Sequence, residues 1–280
     1  MSPSDDFITT DQSLRLEKFF SRITSENISI EEVRDISLKT EVPLRKVEYF
    51  ALSKSIIPYR YQRNIGTFGV SGQMKLFRST AVIVGLGGLG GICLEQISRA
   101  GFGGIIAVDP DVFDQSNLNR QVLSTEDNIG QEKVAVAGKR IQEINSALDF
   151  TGYVCQFQDL PDEVWQKADI VFDCLDNIPD RLILAGKCDR GNCPLVHGAI
   201  AGCFAEVGVV WPGSKMLETC YQGQTEGMEK ELGTPAPTAV LAASIMATKG
   251  TQVLTGGNLN KESAMHIFNL VDNEWGVITI

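Results

Sequence analysis

Apolar residues in the first fifty positions recur at helical spacing. Leu14, Leu16, Phe19, Phe20 and Ile23 mark one helix within residues 13–23. Ser29-Ile30-Glu31-Glu32 fits a capping box ahead of Val33, Ile36 and Leu38. Pro43 opens a third helical pattern through Val47, Phe50 and Leu52, since its fixed φ and missing N–H suit a first turn. Residues 1–11 are polar and acidic and are expected to be disordered. Residues 1–57 therefore predict a small N-terminal helical region. It mixes acidic and basic residues, which favours a docking or dimerisation module over a DNA-binding one.

Pro58 closes that region, and a glycine-bearing stretch with no assigned element runs to Ser79. The pattern then changes to short apolar runs alternating with helical segments. Strands are expected at 81–84, 105–108, 150–155, 170–173 and 195–198. Helices are expected at 91–100, 133–144 and 181–190, with a short piece at 164–167. Strands near 205–211 and 266–270 read as an antiparallel extension, and 236–247 as a buried helix. The alternation predicts an α/β fold over residues 58–280: a Rossmann-like, mostly parallel sheet with an antiparallel extension.

Composition narrows the function. The 280 residues are 43% hydrophobic and 21% charged, ordinary for a globular protein with a sizeable core. The net charge of −10 gives no support for nucleic-acid binding. No signal-peptide pattern opens the chain and no stretch suits a bilayer, so a cytoplasmic protein without membrane contact is expected. Seven scattered cysteines form no C-x-x-C pair, and reduced thiols follow. Two histidines leave no His-rich metal site.

Residues 81–90 read AVIVGLGGLG, a strand breaking into Gly85, Gly87 and Gly90 at G-x-G-x-x-G spacing. Glycine lets such a turn close and lets a phosphate reach the backbone. Asp109 ends the next strand nineteen residues after Gly90, where a carboxylate suits ribose hydroxyls. A nicotinamide or flavin oxidoreductase satisfies these features. The following residues argue against it. Ser116-Asn117-Leu118-Asn119-Arg120-Gln121 and then Lys133 concentrate polar and cationic groups. Hydride transfer needs no cations at outer phosphates, whereas nucleotidyl transfer does. Asp173-Cys174-Leu175-Asp176-Asn177 ends a strand at the same sheet edge, and its carboxylates are Mg²⁺ candidates. A docking platform without catalysis would not need these arginines and aspartates.

Arg60-Tyr61-Gln62-Arg63, the glycine loop, Asp109, Ser116–Gln121, Gly130-Gln131-Glu132-Lys133 and Asp173–Asn177 occur in this order. The set resembles the ThiF/MoeB/HesA family, relatives of ubiquitin-activating enzymes, from Tyr59 to the end of the chain. The resemblance implies ATP-dependent adenylylation of a carboxylate. In the family this is usually the C-terminal Gly-Gly end of a small ubiquitin-like sulfur-carrier protein. It implies that Gly85, Gly87 and Gly90 form the nucleotide loop and that Asp109 holds the ribose. Asn117, Arg120, Gln121 and Lys133 would surround the phosphates, and Asp176 would bind Mg²⁺. Arg63 would reach into the site of a partner subunit, so a homodimer is expected.

Two features depart from the family. Cys220-Tyr221-Gln222-Gly223 keeps one cysteine of an expected zinc pair and no second pair follows, so no structural zinc is expected. Residues 227–237, GMEKELGTPAP, lack the cysteine that some relatives use to take the acyl group or sulfur. Cys220 is the nearest upstream thiol. These losses open an alternative substrate, a peptide or small-molecule carboxylate.

Overall fold

The computed structural model describes residues 7–257 and 263–279. Helices α1 (Thr10–Phe20), α2 (Ile30–Thr40) and α3 (Leu44–Ser53) pack around Leu16, Phe20, Val33, Ile36, Val47 and Phe50. Thr9 and Gln12 form a capping box on α1, and Ser29 and Glu32 form the expected one on α2. Order thus reaches further than the polar start predicts. Phe7 stacks on Tyr49 with ring centroids 4.7 Å apart, and α1 begins at Thr10. Residues 1–6 of the expected disordered stretch lie outside the described residues. Leu38 and Leu14 belong to the apolar pattern but face outward, at 81% and 64% exposure.

Strands β1 (Asn27–Ile28) and β2 (Ile57–Pro58) pair in parallel and close the helical region. The stretch left unassigned in the sequence is helix α4 (Ile65–Arg78), kinked at Gly69, whose φ is +65°. Three glycines hide this helix from a propensity argument, yet Gly72 lets it lie close to Thr255.

The chain then alternates through β3 (Thr80–Val84), α5 (Gly88–Ala100), β4 (Gly104–Val108), α6 (Lys133–Ile144) and β5 (Asp149–Tyr153). It continues through α7 (Asp162–Lys167), β6 (Ile170–Asp173), α8 (Ile178–Arg190), β7 (Leu195–Ala201) and β8 (Phe204–Val210). Short helices α9 (Met216–Cys220) and α10 (Glu229–Leu232) precede the long α11 (Ala236–Thr255), and β9 (Ala264–Asn269) and β10 (Glu274–Thr279) follow. Helix α5 starts three residues before the predicted position, and β10 was not expected at all.

The eight strands form one sheet in the order β10-β9-β8-β7-β6-β3-β4-β5. β7, β6, β3, β4 and β5 run parallel, and β8, β9 and β10 add antiparallel. Alternate residues of β3 serve opposite faces: Ala81 and Ile83 enter the core with α5 and α11, Val82 and Val84 the core with α8 and α9. Being buried on both sides explains the unbroken apolar runs. Strand order reverses at β3, with β4 on one side and β6 on the other. A crevice opens at the carboxyl ends of the strands beside such a switch point. Among the described residues no helix is long and apolar enough to cross a membrane.

Candidate active site

The crevice holds a cavity of about 480 Å³, within the usual range for small-molecule sites. Its floor is the glycine loop. Gly85 has φ +90°, and a Cβ there would sit 2.8 Å from the Cys174 carbonyl oxygen. A Cβ on Gly90 would fall 1.8 Å from the Gly85 carbonyl oxygen. Gly87 differs: its Cβ would meet nothing closer than Gln121 Nε2 at 3.7 Å. Gly85 and Gly87 line the cavity, while Gly90 lies behind the loop and lets α5 pack. No side chain caps α5, so its first N–H groups remain available to an anion.

Asp109, only 4% exposed, props this loop. Its Oδ2 accepts the Leu86 N–H at 2.6 Å and its Oδ1 accepts the Asp111 N–H at 2.9 Å. Burial raises its pKa above the ordinary carboxyl value, opposed by the Leu86 N–H and by the Lys133 ammonium. Lys133 Nζ donates to Asp111 Oδ2 at 2.9 Å and lies 3.6 Å from Asp109 Oδ1. Arg120 also lines the cavity, donating to Ser116 O at 3.0 Å and Asn119 Oδ1 at 2.7 Å. Gln121 is buried beside Gly87, and its Oε1 has no hydrogen-bond partner.

Asp176 is exposed on the cavity wall, while Asp173 is fully buried and accepts from His197 Nδ1 at 2.7 Å. Of the two strand-end carboxylates, only Asp176 is open to a cation. Among the described residues no three His, Cys, Asp or Glu groups cluster as a metal site. A single carboxylate is nonetheless an ordinary protein contribution to Mg²⁺, which takes its other ligands from phosphates and water. Cys220 is partly buried, and burial together with nearby Glu206 raises its thiol pKa.

The structure thus brings together Gly85, Gly87, Asp109, Arg120, Gln121, Lys133 and Asp176. It does not bring in Asn117, whose Oδ1 instead accepts the Asp114 N–H at 3.1 Å and shapes the turn before Arg120. Arg63 also lies outside the cavity, exposed, with no hydrogen bond or ion pair among the described residues.

Sequence reasoning missed Arg181. It lines the cavity at 4% exposure and donates to the Leu175 carbonyl through Nε at 3.3 Å and Nη2 at 2.9 Å. Behind it, Tyr221 Oη lies 2.9 Å from His197 Nε2 and donates to Glu206. Burial works against a charge on His197, but hydrogen bonds with Asp173 and Glu206 carry its pKa above the ordinary value. The five residues lie on four separate elements and a turn, so no local spacing announces them.

The sequence profile of the ThiF family matches residues 59–280. The chain belongs to the ThiF family. Sulfur carrier protein ThiS adenylyltransferase of Bacillus subtilis (strain 168) is 33% identical over 222 residues, covering 77% of this chain and 66% of the relative. Adenylyltransferase and sulfurtransferase MOCS3-1 of Zea mays is 39% identical over 147 residues, 51% of this chain and 31% of the relative. SAMP-activating enzyme E1 of Haloferax volcanii is 29% identical over 199 residues, 70% of this chain and 74% of the relative. The ThiF-family chain thus spans less than two thirds of the first two relatives' length. E. coli MccB with ATP superposes with a TM-score of 0.66 at 21% identity, covering 96% of this chain and 86% of that one. That likeness establishes the shared fold.

Proposed function

We propose that this ThiF-family protein is an ATP-dependent adenylyltransferase acting in the cytoplasm. Its substrate would be the C-terminal Gly-Gly carboxylate of a ubiquitin-like sulfur-carrier protein. The observation that carries the reading is the convergence of the glycine loop, Asp109, Arg120, Lys133 and Asp176 on one cavity. The similarity to enzymes named for ThiS and SAMP activation supports the choice of carrier.

In the reaction, a carboxylate oxygen attacks the α-phosphorus of ATP. The new acyl–phosphate bond forms as the bond to the β-phosphate bridging oxygen breaks, and pyrophosphate leaves. A carboxylate is already deprotonated at neutral pH, so no general base is required. The protein's work is positioning and charge stabilisation. The Gly85–Gly87 backbone and the start of α5 would take phosphate oxygens. Asp109 would orient the ribose through its remaining lone pairs. Arg120 and Lys133 would offset charge on the triphosphate, with Gln121 donating from beside Gly87. Gly90 would act by packing the loop and Asn117 by shaping the turn. Asp176 would hold Mg²⁺, which supplies further charge neutralisation when bound.

Residues 58–280 would form the adenylylation domain and residues 1–57 a helical appendage. Arg63 would complete the site of a second copy, making the enzyme a homodimer. One observation favours a second reading, a peptide or small-molecule carboxylate: residues 227–237, which reach the cavity through Glu229, Lys230 and Thr234, carry no thiol for a later transfer. An ATP–pyrophosphate exchange assay tests both. Exchange with Gly-Gly-ended carriers supports the first reading, and exchange with small carboxylates alone supports the second.

A further inference from the structure

The segment carrying Arg63 is fastened at both ends, and one fastening comes from the N-terminal helices. Arg60 Nε lies 3.3 Å from Oε1 of Glu48 on α3. The Arg60 guanidinium also donates to Asn145 Oδ1, and Asn145 Nδ2 donates to the Tyr61 hydroxyl at 2.8 Å. Tyr61 is fully buried, edge-on to Phe77 at 5.8 Å between ring centroids. On the far side, the Asn64 N–H donates to Tyr61 O at 2.8 Å, and Asn64 Nδ2 donates to Gln73 Oε1 at 3.1 Å. Arg63 stands between these fastenings, exposed.

Glu48 is the unusual member. It is 1% exposed, and its Oε2 has no hydrogen-bond partner. Burying a carboxylate is costly, and an apolar side chain of similar size would often pack as well or better. Stability alone therefore gives no reason for a carboxylate here. Among the described residues its ion pair is with Arg60, three residues before Arg63. Glu48 also lies outside the ThiF-matching residues, which begin at 59. Together with the Tyr61 hydroxyl at the same carboxyl and the packing of Tyr49 and Leu52 with Tyr61, the pair ties the appended helices to the segment that carries Arg63.

We propose that Glu48 is a positioning residue: by holding Arg60 it fixes the turn that presents Arg63 to the nucleotide cavity of a second copy. This rests on the reading of Arg63 as acting across the dimer. The N-terminal helices then belong to the catalytic apparatus rather than forming a separable appendage.

The test uses the full chain with Glu48→Gln, Arg63→Ala and the double variant. Arg60→Lys is a second way to break the pair, keeping the cation but losing the grip on both Glu48 and Asn145. Hydrogen exchange at residues 60–64 is expected to quicken roughly tenfold in Glu48→Gln and Arg60→Lys. The kcat of ATP–pyrophosphate exchange is expected to fall roughly tenfold, with KM for ATP nearly unchanged. The double variant is expected to be no slower than Arg63→Ala, since both act through one group. Unchanged hydrogen exchange, faster hydrogen exchange with wild-type kcat, or losses that multiply would each overturn the proposal. If Arg63→Ala itself keeps the wild-type kcat, the reading of Arg63 fails and the proposal falls with it. If Arg63→Ala loses kcat and Glu48→Gln does not, the proposal alone fails.

Discussion

Lys133 and Asp111 form a 2.9 Å ion pair on the cavity wall, and Asp109 lies 3.6 Å from the same ammonium. The lysine is therefore held in place by the acid that follows β4 and by the acid that props the glycine loop. Its own side chain is 8% exposed, so this charge is weakly screened. Lys133→Ala removes the cation and leaves Asp109 buried without one. The variant is expected to lose about 2 kcal/mol of stability, the scale of a charged hydrogen bond. ATP affinity is expected to fall at least tenfold. Urea denaturation and ATP titration check the two effects separately.

The glycines of the loop differ in role, and two substitutions separate them. Gly90→Ala drives a methyl group to within 1.8 Å of the Gly85 carbonyl oxygen, and backbone has to move. A cost of about 3 kcal/mol is expected, the upper range for overpacking. Gly87→Ala meets only Gln121 Nε2 at 3.7 Å, ordinary contact. That variant is expected to melt within a few degrees of wild type while losing ATP binding, because the methyl group occupies phosphate space. Thermal melts with and without ATP distinguish them.

Arg63 and Lys133 are proposed to serve one site from two chains. Arg63→Ala and Lys133→Ala proteins, each inactive alone, are therefore expected to regain activity when mixed and allowed to exchange subunits. At equal amounts, half the dimers are mixed and each has one intact site, which gives about a quarter of wild-type activity. Exchange kinetics on the mixture check this. No recovery, despite subunit exchange seen by mass spectrometry, would place Arg63 outside the partner's site.

Burial raises the Glu48 carboxyl to about 7 from an ordinary 4.5, against the pull of Arg60 and the Tyr61 hydroxyl. Below pH 4.5 both folded and unfolded chains hold the proton. Between 4.5 and 7 the folded chain keeps it while the unfolded chain has lost it. Stability is therefore expected to fall as pH rises through this window, by about 3 kcal/mol, and to level off above it. Glu48→Gln removes this contribution. Denaturation midpoints of both proteins across pH 4 to 8 give the difference, which isolates Glu48 from other titrating groups.

Much of the fold was legible because burial on both faces leaves β3, β4 and β6 as uninterrupted apolar runs. The cap on α2 was legible from Ser29 and Glu32 alone. Helix α4 was not, since Gly66, Gly69 and Gly72 lower its propensity and its packing against α11 decides the outcome. Strand β10 was missed because Trp275, Val277 and Ile278 are exposed, so their pattern reports no core. At the candidate site, motif order pointed to Asp109, Arg120 and Lys133, which line one cavity. It could not say that the Asn117 side chain turns back onto Asp114. Arg181, His197 and Tyr221 were illegible because 24 or more residues separate the bonded pairs His197–Asp173, His197–Tyr221 and Arg181–Tyr221. The adjacency of β6, β7 and β8, with α8 and the turn after α9 packed against them, brings these residues together.

The cavity is proposed to join AMP to a carrier's terminal carboxylate. Intact mass spectrometry of a Gly-Gly-ended ubiquitin-like carrier, incubated with this protein, ATP and Mg²⁺, tests it most directly. The expected result is a mass gain of one adenylyl group on the carrier, none on a carrier lacking its final glycine, and none with Gly87→Ala. Carriers that stay unmodified, alongside tight binding of NADH and no binding of ATP, would contradict it.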